Sequence, residues 1–167
     1  FLTASNTIAS TGVLHILPIG DAFSSDLTVG SFFDPGTTLT GLEIGKNHAT
    51  AANVTLESVM TIAGPITVYG GDIEIDANIT TTATSGTGVL IAGRKITQNN
   101  NSDVITSGAN IDYQATNFLA TSSTDYVIGL DGSSGDKTVL QANGGDITLN
   151  ATFGIGGNTG GADRGIY

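Results

Sequence analysis

A glycine-led segment that occurs twice constrains this chain more than any other feature. Gly70-Gly71-Asp72-Ile73-Glu74-Ile75-Asp76-Ala77 returns as Gly144-Gly145-Asp146-Ile147-Thr148-Leu149-Asn150-Ala151. In each copy the two glycines permit a tight or left-handed turn, and the aliphatics at alternate positions then project to one face of a strand. A strand-turn unit that comes back along a chain points to stacked coils, each covering its neighbour's apolar face. The copies lie 74 positions apart (144 minus 70), a distance that three or four coils of roughly 18–25 residues fill.

The same alternation runs through the rest of the chain. It appears at Leu42 and Ile44, Val54 and Leu56, Ile66 and Val68, Val89 and Ile91, Ile111 and Tyr113, and Ile128 and Leu130, with Ile96, Val104 and Val139 between them. Each pair fits a short half-buried strand, and turn residues separate nearly every pair. A β-sandwich also yields many short strands, so strand density alone leaves sandwich and solenoid open. The repeated segment favours the solenoid, and the expected fold is all-β: a right-handed parallel β-helix, with a β-sandwich as the alternative. The Asn99-Asn100-Asn101 run suits a turn, because Asn tolerates left-handed backbone, and Thr80-Thr81-Thr82 suits a strand. Residues 1–35 differ in texture, with Pro18 interrupting the aliphatics and Phe32 and Phe33 beside Asp34-Pro35-Gly36. They read as an atypical coil, a cap or a neighbouring module, and residues 36–167 as the repeat region.

Composition narrows the function classes. Only 12% of residues are charged, against about 25% in an average soluble protein, and Thr, Ser, Asn and Gly fill the polar quota. Residues that favour helices are scarce at helical spacing. A net charge of -10 with five basic residues argues against nucleic acid, whose phosphates need clustered Lys and Arg, and against anionic lipid headgroups. No apolar run approaches a membrane span, and the opening Phe1-Leu2-Thr3 lacks the basic start of a signal peptide, so the chain reads as mature or excised material within a longer protein. With zero cysteines, disulfides and thiolate metal sites are excluded.

From Thr40-Gly41-Leu42-Glu43-Ile44-Gly45-Lys46 to Ala63-Gly64-Pro65-Ile66-Thr67-Val68-Tyr69-Gly70-Gly71-Asp72-Ile73, the chain resembles the filamentous-haemagglutinin-type β-helix repeats of large bacterial surface adhesins. It is similar in flavour to the very long cell-surface adhesins of Bacteroidota, including those used in gliding motility. The resemblance implies export, by the type IX route, and display on the outer cell surface beside the export and motility machinery. Partners would be surface glycans or abiotic surfaces. The family carries no catalytic residues to transfer, and its glycine-and-aliphatic motifs identify architecture better than role.

Few residues carry chemistry. Asp72, Glu74 and Asp76 alternate with Ile73 and Ile75, so the three carboxylates share one strand face and offer oxygens to calcium, which takes six to eight such ligands. A solvated acidic face explains them more simply, since one strand rarely supplies enough ligands. Asp131-Gly132-Ser133-Ser134-Gly135-Asp136 lacks the ligand alternation of a calcium loop and reads as a surface turn. The tail from Gly154 to Asp163 lacks the spacing of the calcium nonapeptide and reads as a turn-rich end. His15 and His48 have no metal-ligand spacing. Lys46, Arg94, Lys95, Lys137 and Arg164 are too dispersed for a polysaccharide-lyase site, which leaves an enzyme as the weak alternative. Asn53-Val54-Thr55, Asn78-Ile79-Thr80, Asn100-Asn101-Ser102 and Asn150-Ala151-Thr152 match glycosylation sequons, as an Asn- and Thr-rich chain does by chance. Tyr69 and Tyr113 are candidate stacking platforms for glycans. The expectation is a non-enzymatic segment of an extracellular adhesin, with an end-to-end filament subunit as the runner-up.

Overall fold

The computed structural model describes residues 6–30, 33–47, 52–116, 127–132, 136–151 and 155–156. The chain opens with β1 (Asn6–Ile8) and then winds in coils of up to three short strands. The first coil holds β2 (Val13–Ile16), β3 (Leu27–Val29) and β4 (Phe33–Pro35), and the second β5 (Gly41–Ile44), β6 (Val54–Leu56) and β7 (Met60–Ile62). Next come β8 (Ile66–Tyr69), β9 (Asp72–Ile75) and β10 (Ile79–Thr81), then β11 (Thr87–Gly93), β12 (Lys95–Gln98) and β13 (Val104–Thr106). The last coils contribute β14 (Asn110–Ala115), β15 (Ile128–Leu130) and β16 (Leu140–Gln141), then β17 (Ile147–Ala151) and β18 (Ile155–Gly156).

Every third strand falls on the same face. The first face stacks β2-β5-β8-β11-β14-β17, the second β3-β6-β9-β12-β15-β18, and the third β7-β10-β13-β16. On that third face β4 lies beside β7 and pairs with β1. All strand pairings are parallel, and no helix occurs among the described residues. The fold is therefore the expected all-β parallel β-helix. The sandwich alternative fails because sandwich sheets are antiparallel. Strands β2 and β3 are the terminal strands of the first two faces, so the opening segment enters the same stack as the repeat region.

The alternating aliphatics form columns through the interior. On the first face Leu14, Leu42, Ile66, Val89, Ile111 and Ile147 stack in register, and beside them Ile16, Ile44, Val68, Ile91, Tyr113 and Leu149. The second face adds Leu27, Val54, Ile73, Ile96 and Ile128, then Val29, Leu56 and Ile75. Between the end coils these side chains are buried in one continuous core, each contributing roughly 1.5–3 kcal/mol. The third face is different in kind. Met60, Ile79, Val104 and Leu140 make one column, but beside it Ile62 gives way to Thr81 and Thr106. Both threonines are buried. They are tolerated because Thr81 Oγ1 donates to Gly64 O and Thr106 Oγ1 to the carbonyls of Ala109 and Ala142.

Two details of the repeat differ from the sequence reading. Its first copy forms β9 on the second face and its second copy β17 on the first face, so the copies are eight strands apart, short of three full turns. The coil from Ile111 to Ile147 is the cause, running to 36 residues (147 minus 111) where the register partners Ile73 and Ile96 are separated by 23 (96 minus 73). The glycines also differ in role. Gly144 takes φ +112 and Asn143 φ 49, whereas Gly70 and Gly71 have no positive φ. Gly70 is a glycine for lack of room, since a Cβ there would come within 2.8 Å of Val54.

Candidate functional site

What the two copies share is the way each strand is entered. The amide N–H of Asp72 donates to Asn53 Oδ1 at 3.0 Å, and that of Asp146 to Asn110 Oδ1 at 2.9 Å. In each case a carboxamide on one coil satisfies an amide at the entry to a strand on the next, the first residue of β9 and the residue just before β17. The device recurs at other corners: Asp26 accepts from the amide of Asn53, Asn78 from Asp103, and Asp103 from Val139. The sequon matches at Asn53 and Asn78 follow directly. A corner Asn, an inward aliphatic and an outward Thr spell Asn-X-Thr wherever a coil turns this way.

The acidic stripe runs along the outer surface of β9 to the residue just after it, as its alternation predicts, and each of its three carboxylates already has a protein partner. Asp72 Oδ1 accepts from Arg94 Nε at 2.7 Å. That hydrogen bond raises the guanidinium pKa above its ordinary value; desolvation opposes the rise and Coulomb attraction to Asp72 adds to it. Glu74 and Asp76 both accept from the Asn99 side-chain amide. Among the described residues no group of three or more His, Cys, Asp or Glu side chains gathers as a metal site. Residues 133–135 of the Asp131 turn, most of the glycine-rich tail, His48 and Arg164 lie outside the described residues. His15 Nδ1 meets Glu43 Oε2 at 2.6 Å on the exposed first face. Asn101 does take left-handed backbone, with φ 60.

The two tyrosines part company. Tyr113 is fully buried and cannot serve as a surface platform. The reason is register: it continues the inward column of Val68 and Ile91. Its hydroxyl donates to Gln98 Oε1 at 2.8 Å, and Gln98 Nε2 donates to the carbonyls of Ser102 and Val139, the latter at 3.3 Å. Burial pushes the phenol pKa well above its ordinary value. Tyr69 has the opposite parity on its strand and is half-buried at the outer surface.

Tyr69 lines an open groove of about 170 Å³ at the edge where the first face turns into the second. The groove crosses four successive coils, with Lys46 and Asn47 on one, Tyr69 and Gly70 on the next, then Ala92 and Gly93, then Gln114 and Thr116. Its small-residue floor is imposed by packing. A Cβ on Gly70 would come within 2.8 Å of Val54, and one on Gly93 would meet Gly71 O at 2.7 Å. Tyr69, Ala92 and Gln114 are register partners, so ring, methyl and carboxamide lie in one outward row. Lys46 Nζ donates to Gly20 O at 2.8 Å, and Gln114 Nε2 to Asp112 Oδ2 at 2.6 Å. Sequence reading found Tyr69 but missed Asn47, Gln114 and Thr116, because only the pairing of distant strands brings them together. The signal available was the small residue that closes or directly follows most first-face strands, at Gly45, Gly70, Gly93, Ala115 and Ala151.

Fold and site together define the class: a three-faced parallel β-helix with aliphatic columns inside and an amide-, hydroxyl- and carboxylate-bearing exterior. No protein-family model, curated protein or solved structure matches the chain.

Proposed function

We propose that this chain is a structural and adhesive segment of a long extracellular protein, displayed on a bacterial cell surface, that attaches the cell to surfaces or glycans, including during gliding. The observation that carries the reading is the pair of inward columns on the first face, running without a break from Leu14 and Ile16 to Ile147 and Leu149. Columns of this kind add stability coil by coil along one axis, which suits a stalk, and leave a broad polar exterior free for many weak contacts. The test is retention under shear. Beads carrying the chain should hold to glycan-coated or bare glass more firmly than beads carrying an unrelated acidic protein of similar size. Equal detachment would reject the adhesive role.

A filament subunit is the second reading, favoured by one observation. Strands β2 and β17, at opposite ends of the first face, each pair on one side only among the described residues, and their inward aliphatics are only partly covered. Open parallel edges of this kind accept further strands. Sedimentation over a range of concentrations distinguishes the readings, because head-to-tail stacking gives open-ended growth.

A further inference from the structure

We infer that the corner groove beside Tyr69 is a binding site for an extended, uncharged oligosaccharide. The inference rests on the adhesive reading and names the surface and the ligand class through which it would work. Three observations converge. The first is Tyr69, half-buried at the outer surface and lining the groove beside Ala92 and Gly93, which put only a methyl group and a bare backbone next to its ring. A pyranose presents an apolar C–H face to such a ring and hydroxyls around its edge. The second is the polar lining. Asn47, Gln114 and Thr116 are exposed donors and acceptors, the uncharged groups that pair with sugar hydroxyls. The third is length. Four coils spaced by about 4.8 Å set the outer lining groups about 14 Å apart, and one extended pyranose advances by about one coil.

Charge decides against an acidic glycan. Among the described residues Lys46 is the one cation lining the groove, and it already donates to the Gly20 carbonyl, while a chain of net charge -10 repels polyanions at long range. A site that works through stacking and neutral hydrogen bonds should bind almost independently of salt.

The experiment is calorimetric titration of the 167-residue chain with tetramers of β-linked glucose, β-linked N-acetylglucosamine and α-linked mannose, and with a galacturonate tetramer, at low and high salt. At least one neutral tetramer should bind with little salt dependence. Tyr69→Ala should weaken that binding about tenfold or more, Tyr69→Phe should largely retain it, and Thr28→Ala on the second face should leave it unchanged. Circular dichroism checks that each variant keeps its fold. Should Tyr69→Ala fail to fold, Gln114→Ala on the exposed rim takes its place, with the same loss expected. Three results overturn the inference: no neutral tetramer binds, the groove variants bind as tightly as the parent, or galacturonate binds best. Bead retention separates this inference from the adhesive reading. Retention that survives Tyr69→Ala overturns the groove and leaves adhesion standing, whereas a parent chain that never retains beads removes both.

Discussion

At the scale of single residues, the polar groups inside the stack are as informative as the aliphatics. Tyr113 and Gln98 occupy inward positions that other coils give to Val68, Ile91 and Ile75, and they stay there because each satisfies the other. Tyr113→Phe should cost about 1–2 kcal/mol at neutral pH, read from urea denaturation, since it leaves Gln98 Oε1 without its donor. The pH dependence follows from the raised phenol pKa. In the unfolded chain the phenol ionises near about pH 10, while in the fold it keeps its proton beyond that. The folded state then binds more protons than the unfolded one, so stability falls as pH rises past about 10. Tyr113→Phe should flatten that part of the alkaline limb. At the corners, Asn53→Ala removes the acceptor for the Asp72 amide and should cost about 1–2 kcal/mol by the same assay. Arg94→Ala should cost less, about 1 kcal/mol or under, because the Arg94–Asp72 pair is half-exposed and solvent screens it.

At the scale of the element, strands and corners are specified by different signals. The strands of the first and second faces are legible, since the Leu42, Ile66, Ile73 and Ile111 pairs alternate aliphatic and polar residues, and alternation is what a half-buried strand requires. Most of the third face is not legible. Its strands β7, β10, β13 and β16 are two or three residues long, and two of its inward positions are threonines held by corner carbonyls. A buried Thr cannot be told from a surface Thr until its acceptor is known. The corners are set by space. Gly64, between β7 and β8, would place a Cβ 1.8 Å from Thr40 O, a clash with backbone of the preceding coil that no rotamer relieves. Gly64→Ala should therefore lower the thermal midpoint by several degrees, whereas Gly86→Ala, which meets no atom within 4 Å but has φ +68, carries only the backbone penalty of about 1 kcal/mol.

At the scale of the whole molecule, each coil is held by the one before and the one after, so protection should be highest in the middle of the stack. Amide hydrogen exchange should be slowest in β8, β9 and β11, whose strands have partners on both sides, and fastest in β2 and β17, which have one. Uniform protection from end to end would contradict a stack held by nearest-neighbour coils. The sequence by itself determined the class of the fold, because period-two aliphatics broken by turn residues and a returning Gly-Gly-Asp-Ile unit are local signals. It also determined which carboxylates face outward on β9, since parity along a strand is fixed by the pleat. Tertiary structure alone decided the register. Register partners on successive coils lie from 19 residues apart (Val54 to Ile73) to 36 (Ile111 to Ile147), so no fixed period tells which face a strand joins, and the two copies of the repeat fall on different faces. Register then assigned Tyr113 to the core and Tyr69 to the groove, because whether an aromatic is floor or platform depends on the residues stacked above and below it, and those lie a whole coil away along the chain.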